Sequence, residues 1–153
     1  MTRPAGSDVA DVRAVLAAVG QASRDRDAGA IGRHYAPGAW IADLAPPLVR
    51  RGFDVAGVQQ WLDGWGGPVE VTSRDQTIAV SGDLALVQHL QQTRTRTRDG
   101  EDVAWWARAT VALARTPEGW RIVHEHVSVP FYMDGSDRAA LDLHPEKLEM
   151  TDA

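Results

Sequence analysis

The chain contains no cysteine, so disulfides, thiolate nucleophiles and zinc-thiolate centres are excluded by inventory. No apolar run approaches the roughly 20 residues that a membrane span needs, and Met1-Thr2-Arg3-Pro4-Ala5-Gly6 lacks the apolar core of a secretion signal. A cytoplasmic protein with no membrane attachment is therefore expected. Positive charge is also scarce: 16 Lys and Arg against 21 Asp and Glu leave a net charge of −5. Nucleic acid, whose binding draws on clustered cations, is not an expected partner. The one cationic run, Thr93-Arg94-Thr95-Arg96-Thr97-Arg98, reads as a solvated strand end whose arginines meet nearby acids. Phe and Tyr number two each, whereas Trp numbers six. Trp is bulky and carries a donor, so it lines cavities as readily as it fills cores.

With 153 residues the chain fits one domain, burying about 70% of its unfolded surface. Asp8 and Asp11 near one end and Arg24 and Arg26 near the other suit the dipole of a first helix capped by Ser7. Val9, Val12, Val15, Leu16 and Val19 give it one apolar stripe. Asp27 caps a short second helix toward His34 and Tyr35, ended by Pro37-Gly38. Two short strands, 39–44 and 48–52, meet at the Ala45-Pro46-Pro47 corner. Asp54 caps a third helix with Val58, Trp61, Leu62 and Trp65 on one face, stopped by Gly66-Gly67-Pro68.

From Val69 onward the pattern becomes strands at 69–80, 84–96, 103–115 and 120–129, with turn residues between them. Such long neighbours must twist and coil. The expected fold is α+β: a cone-shaped, curved antiparallel sheet closed by three N-terminal helices around an apolar pocket. Residues 1–131 form this domain, and 132–153 form a tail packed on the surface or on a partner subunit. No repeat, linker or second domain is apparent.

The order helix, helix, Asp-bearing strand, helix and four long strands resembles the nuclear transport factor 2-like superfamily, with ketosteroid isomerase and the SnoaL polyketide cyclases. Asp43-Leu44-Ala45-Pro46-Pro47-Leu48, Trp106-Ala107-Arg108-Ala109-Thr110 and the segment from Gly119 through His124-Glu125-His126 to Phe131 resemble an uncharacterised SnoaL-like bacterial group. These motifs mark the group and not a reaction, because the fold hosts enzymes and non-catalytic binders alike.

By that resemblance Asp43 stands where ketosteroid isomerase carries its general base. An Asp in an apolar pocket is pushed toward the range useful for proton transfer, while the bland reading is a carboxylate capping the Pro46-Pro47 corner. The oxyanion hole of ketosteroid isomerase, a helical Tyr with a protonated Asp, has no counterpart at those positions, so steroid isomerisation is not implied. His124 and His126, two apart on a strand, share one face. If that face is concave they serve as proton shuttle or oxyanion donor, with Glu125 turned outward to a dimer face. A metal site from these histidines and Asp43 lacks a third ligand at diagnostic spacing, and neither metal nor cofactor is expected.

Hydrophobicity turns Trp106 and Arg108 outward, whereas the resemblance, through pocket arginines that bind carboxylates, turns them inward; the inward reading is adopted. Leu86, Gln88 and Leu90 form the more apolar row of their strand and are expected to face the pocket. Trp40, Trp61, Trp65 and Trp106 supply its walls. His89 is read as a surface or interface residue, and His34 and His144 as surface.

The first functional reading is an enzyme of isomerase, cyclase or lyase type, doing proton-transfer chemistry on a small hydrophobic carbonyl or polycyclic compound. Asp43 is the base, and His124, His126 or Arg108 stabilises the oxyanion. The alternative is a non-catalytic binding or oligomerisation domain holding a carboxylate, and a third, epoxide hydrolysis, lacks its second Asp. A homodimer is implied by the superfamily and by the β surface such a sheet leaves bare.

Overall fold

The computed structural model describes residues 5–146. Residues 1–4 and 147–153, which end the expected segments 1–131 and 132–153, lie outside them. Helix α1 spans Ala5–Arg24 and begins before Ser7, the expected cap. Its stripe of Val12, Val15, Leu16, Val19 and Ala22 enters the core. Asp8, in its first turn, is buried and meets the Arg115 guanidinium at 2.9 Å. Helix α2 (Ala28–Gly32) is capped by Asp27, whose Oδ1 accepts from the Ala30 amide at 2.8 Å. Helix α3 (Val55–Asp63) is capped in the same way by Asp54, which accepts from the Gly57 amide at 3.0 Å. A short side-chain acceptor satisfies an amide that the helix itself cannot.

Strand β1 (Tyr35–Ala42) starts earlier than expected and contains Pro37-Gly38. The proline is accommodated because its register against β6 is interrupted between Tyr35 and Trp40, where Gly38 takes a φ of 70°. β2 is only Arg50–Arg51. The long strands β3 (Glu70–Ser81), β4 (Leu84–Arg96), β5 (Asp102–Thr116) and β6 (Gly119–Ser128) fall within one residue of their expected bounds. The sheet order is β2-β1-β6-β5-β4-β3. All pairs are antiparallel except β1 with β6, a parallel pairing the sequence did not suggest.

Cross-strand partners share a face. Ala85 with Leu113, Val87 with Val111 and His89 with Ala109 therefore lie on the inner, helix-covered side. Leu113, Val87 and Ile122 are almost fully buried there with Val12, Leu62 and Val69. Leu113 is 0% exposed, so Leu113→Ala is expected to cost about 3 kcal/mol of stability in urea titration.

One irregularity decides which residues of β6 face inward. Leu113 pairs with Ile122, but the adjacent Ala112 pairs with His124, leaving Val123 as an extra residue. Before the bulge the even-numbered Trp120 and Ile122 face inward; after it the odd-numbered Glu125 and Val127 do, opposite Val111 and Ala109.

Beyond β6 the described residues, up to 146, form turns and one bridge, Phe131 to Ala139, with Ala140 buried. Arg74 of β3 donates to the Pro145 carbonyl at 3.4 Å. Among the described residues no helix is long and apolar enough to cross a membrane.

Candidate functional site

β1 and β6 run side by side with Ile41 beside Glu125 and Trp40 beside His124. Strand alternation sends the first pair inward and the second outward. Just past the end of β1, Asp43 reaches a small cleft that it shares with Tyr35, Glu125, Arg50, Phe53 and Val58. The cleft holds about 40 Å³, room for a few waters or one functional group. It is tighter than the apolar pocket expected, and Asp43, Arg50, Asp54 and Glu125 join a lining that is otherwise apolar. Over it runs the loop 43–49, whose Leu44, Leu48 and Val49 are exposed, Leu48 at 96%.

Inside the cleft the Tyr35 hydroxyl donates to Glu125 Oε2 at 2.7 Å. The Tyr35 ring is buried against Phe53 at 4.7 Å between centroids. Burial raises the Glu125 carboxyl to about 7; the Asp43 charge adds to this and the Tyr35 hydrogen bond opposes it. Tyr35 is held well above its ordinary value by burial, then by the charge and hydrogen bond of Glu125, then by Asp43. Asp43 is exposed at the mouth, and its Oδ1 accepts from the Leu44 amide at 2.7 Å. Arg50 donates to the Pro46 carbonyl at 2.7 Å and lies 3.9 Å from Asp54, so its charge is tied to the loop. The arrangement pairs an accessible carboxylate with an enclosed carboxyl that is about half protonated at neutral pH.

Of the expected catalytic residues only Asp43 is in the cleft. His124 and His126 lie on the outer face, the His124 ring stacked on Trp40 at 4.8 Å and 4°. The extra residue Val123 puts them there and turns Glu125 inward, the reverse of the expected orientation. Arg108 is exposed and pairs with Ser128 on that outer face. Trp106 lies on the same side, as hydrophobicity alone indicated, because Ala107, Ala109, Val111 and Leu113 form the inner row of β5. The β4 row is corrected likewise. Leu86 is 44% exposed, Gln88 is exposed and Leu90 is half-buried. Registry with β5 assigns the inside to Ala85, Val87, His89, Gln91 and Thr93.

Trp61 packs edge-on to Trp65 at 6.0 Å, and Trp65 lies 6.1 Å from Trp105, an aromatic run outside the cleft lining. His89, expected at the surface or an interface, turns inward; its Nδ1 is buried without a partner, and burial lowers its pKa. His34 is half-buried and lowered for the same first reason, with Arg121 and Arg33 adding. His144 is exposed. Among the described residues no three His, Asp or Glu side chains converge as metal ligands.

Sequence reasoning missed Tyr35 and Glu125 as site residues. The adjacent apolar residues Ile122-Val123, which interrupt the period-two pattern of β6, were the available signal for Glu125. Tyr35 carried only its rarity.

No curated protein matches the chain. Among solved structures, a nuclear transport factor 2-like protein of unknown function from Pseudomonas putida superposes with a TM-score of 0.81 at 29% identity, over 94% of this chain and 100% of that one. A Streptomyces avermitilis protein of the same family, provisionally described as a dehydratase, gives 0.72 at 19% identity, over 82% and 97%. A Xanthomonas campestris protein, provisionally described as a calcium/calmodulin-dependent protein kinase II association domain, gives 0.71 at 17%, over 84% and 91%. The last two likenesses speak for the fold alone. The SnoaL-like domain family matches residues 12–132, and with that coverage the chain belongs to this family, within the nuclear transport factor 2-like superfamily that includes isomerases and dehydratases.

Proposed function

We propose that the protein is an enzyme of isomerase, cyclase or lyase type, moving a proton on a small hydrophobic carbonyl compound with Asp43 and Glu125 as its two carboxyl groups. The observation that carries this reading is Glu125, raised to about 7, hydrogen-bonded by Tyr35 and opening into the cleft of Asp43. Asp43, exposed at the mouth, takes a proton from the carbon next to the carbonyl. The electron pair moves onto the carbonyl oxygen, which protonated Glu125 meets with a hydrogen bond. Return of the proton from Asp43 to a different carbon completes an isomerisation; loss of a leaving group completes an elimination. Tyr35 fixes the Glu125 carboxyl, and Glu125 takes the oxyanion-stabilising place expected from sequence of His124, His126 or Arg108. The exposed Leu44, Leu48 and Val49 of loop 43–49 supply apolar contacts for the part of the substrate that the cleft is too small to enclose. The dehydratase description of the Streptomyces neighbour is in keeping with such chemistry.

The test is thermal unfolding against hydrophobic ketones, polycyclic phenols and small carboxylates, followed by turnover of whatever binds. A ligand at 100 times its dissociation constant adds about 2.7 kcal/mol. Ketones that stabilise wild type and are converted by it support the proposal. Stabilisation by carboxylates alone, without turnover, favours the binding-domain reading.

The outer face supports a second proposal, assembly into a homodimer. Leu84 is 60% and Leu86 44% exposed, on the side that carries the Trp40–His124 stack. Light scattering is expected to give twice the chain mass for wild type and the monomer mass for Leu86→Glu; a monomeric wild type refutes it.

A further inference from the structure

A second concavity lies where α1 crosses β3, and it shares no residue with the Asp43 cleft. Its volume is about 310 Å³, within the range of about 300–1,000 Å³ of small-molecule sites. Arg13, Ala17, Gly20 and Arg24, spaced along α1 by four, three and four residues, form one lateral stripe of the helix facing it. Gly20 brings the two walls close: a Cβ there would stand 3.7 Å from the Val71 carbonyl oxygen. Leu16, Ala17 and Val71 make the apolar part of the lining. From β3 come Ser73 and Gln76, the latter in the bulge between Arg74 and Thr77 where Asp75 takes a φ of 54°. Bulges re-aim side chains in this way.

The charge pattern selects the ligand. In a chain of net charge −5, this groove is lined by two guanidinium groups and no carboxylate. Arg13 has no ion-pair partner among the described residues. Arg24 is 3.4 Å from Glu70, and both side chains are about half exposed, a pairing that water and salt weaken. Gln21 is held by Asp25 at 2.9 Å. The two arginines are eleven residues apart, about 16 Å along the helix axis, so they mark the two ends of a slot and not a single point.

We propose that the groove between α1 and β3 binds an elongated small organic anion, a linear dicarboxylate. One carboxylate meets Arg13 and the other Arg24, while the methylene body lies on Leu16, Ala17 and Val71. Ser73 and Gln76 hydrogen-bond its oxygens.

Isothermal titration with hexanedioate, hexanoate and inorganic phosphate tests this on the full chain. Saturable one-to-one binding of hexanedioate is expected, tighter than that of hexanoate. Arg13→Gln and Arg24→Gln should each weaken it about fivefold, the scale of one partly exposed charge pair. Ala17→Trp, at an exposed helix position, should fill the slot and abolish binding with circular dichroism and melting temperature retained. Asp43→Asn should leave it unchanged, so failure here is distinct from failure of the proposed chemistry. Absence of saturable binding overturns the proposal, as does binding that survives Ala17→Trp or is lost in Asp43→Asn. Equal affinity for phosphate and hexanedioate, dependent on one arginine alone, also overturns it.

Discussion

Asp43→Asn is expected to lower turnover of a carbonyl substrate by about 10²–10⁴-fold, the usual contribution of a positioned general base, with little change in stability. Asparagine keeps a side-chain oxygen that can accept from the Leu44 amide, and the side chain is exposed at the cleft mouth. The fold therefore has no reason to fail. The variant also removes a negative charge that helps hold Glu125 near 7. Whatever residual rate remains should lose activity with rising pH at a lower pH than wild type, because Glu125 then gives up its proton earlier. This shift separates a chemical role from a structural one. A rate within threefold of wild type, or an unmoved pH profile, would remove Asp43 from the mechanism.

The second large effect concerns Glu125 and the pH dependence of folding. In the unfolded chain its carboxyl ionises near its ordinary value of about 4.3; in the folded protein it ionises near 7. Above the lower value the unfolded state gains the charged form first, so stability falls between about pH 4.3 and 7 and then levels off. Glu125→Gln removes the ionisation while leaving an oxygen to accept from Tyr35. Relative to wild type the variant should be nearly neutral at pH 4 and more stable by about 3–4 kcal/mol at pH 8, read from urea titrations at both pH values. It should also be inactive in the same assay that tests Asp43→Asn. A difference that does not grow with pH would mean that Glu125 ionises alike in the folded and unfolded chain, and so is charged at neutral pH and cannot donate the hydrogen bond to the oxyanion.

The long strands were legible because turn residues bracket them: Gly82-Asp83, Arg98-Asp99-Gly100 and Pro117-Glu118 fall between observed strands, with Ser81, Thr116 and Gly119 at the strand ends. The caps at Asp27 and Asp54 were legible for the same local reason, a short acceptor at the start of a helical stretch. The start of β1 was not, since Pro37-Gly38 looks like a stop and becomes an interruption only in the presence of β6. Facing was the main failure. On β4 the leucine row looked like the inner one, yet which row faces the helices is set by partners on β5, which are remote in sequence. Asp43 was singled out through a resemblance, and the structure places beside it what that resemblance did not suggest, the Tyr35–Glu125 pair.

Val123 has a consequence for tracing this site across relatives. Because side chains alternate every residue, one inserted residue in β6 acts as a frame shift for everything downstream. A relative lacking it would carry imidazoles in the interior and a carboxylate on its flank from the same His-Glu-His string. Matching letters in an alignment would then hide an exchange of cleft chemistry, and the length of the strand before the motif would be more informative than the motif.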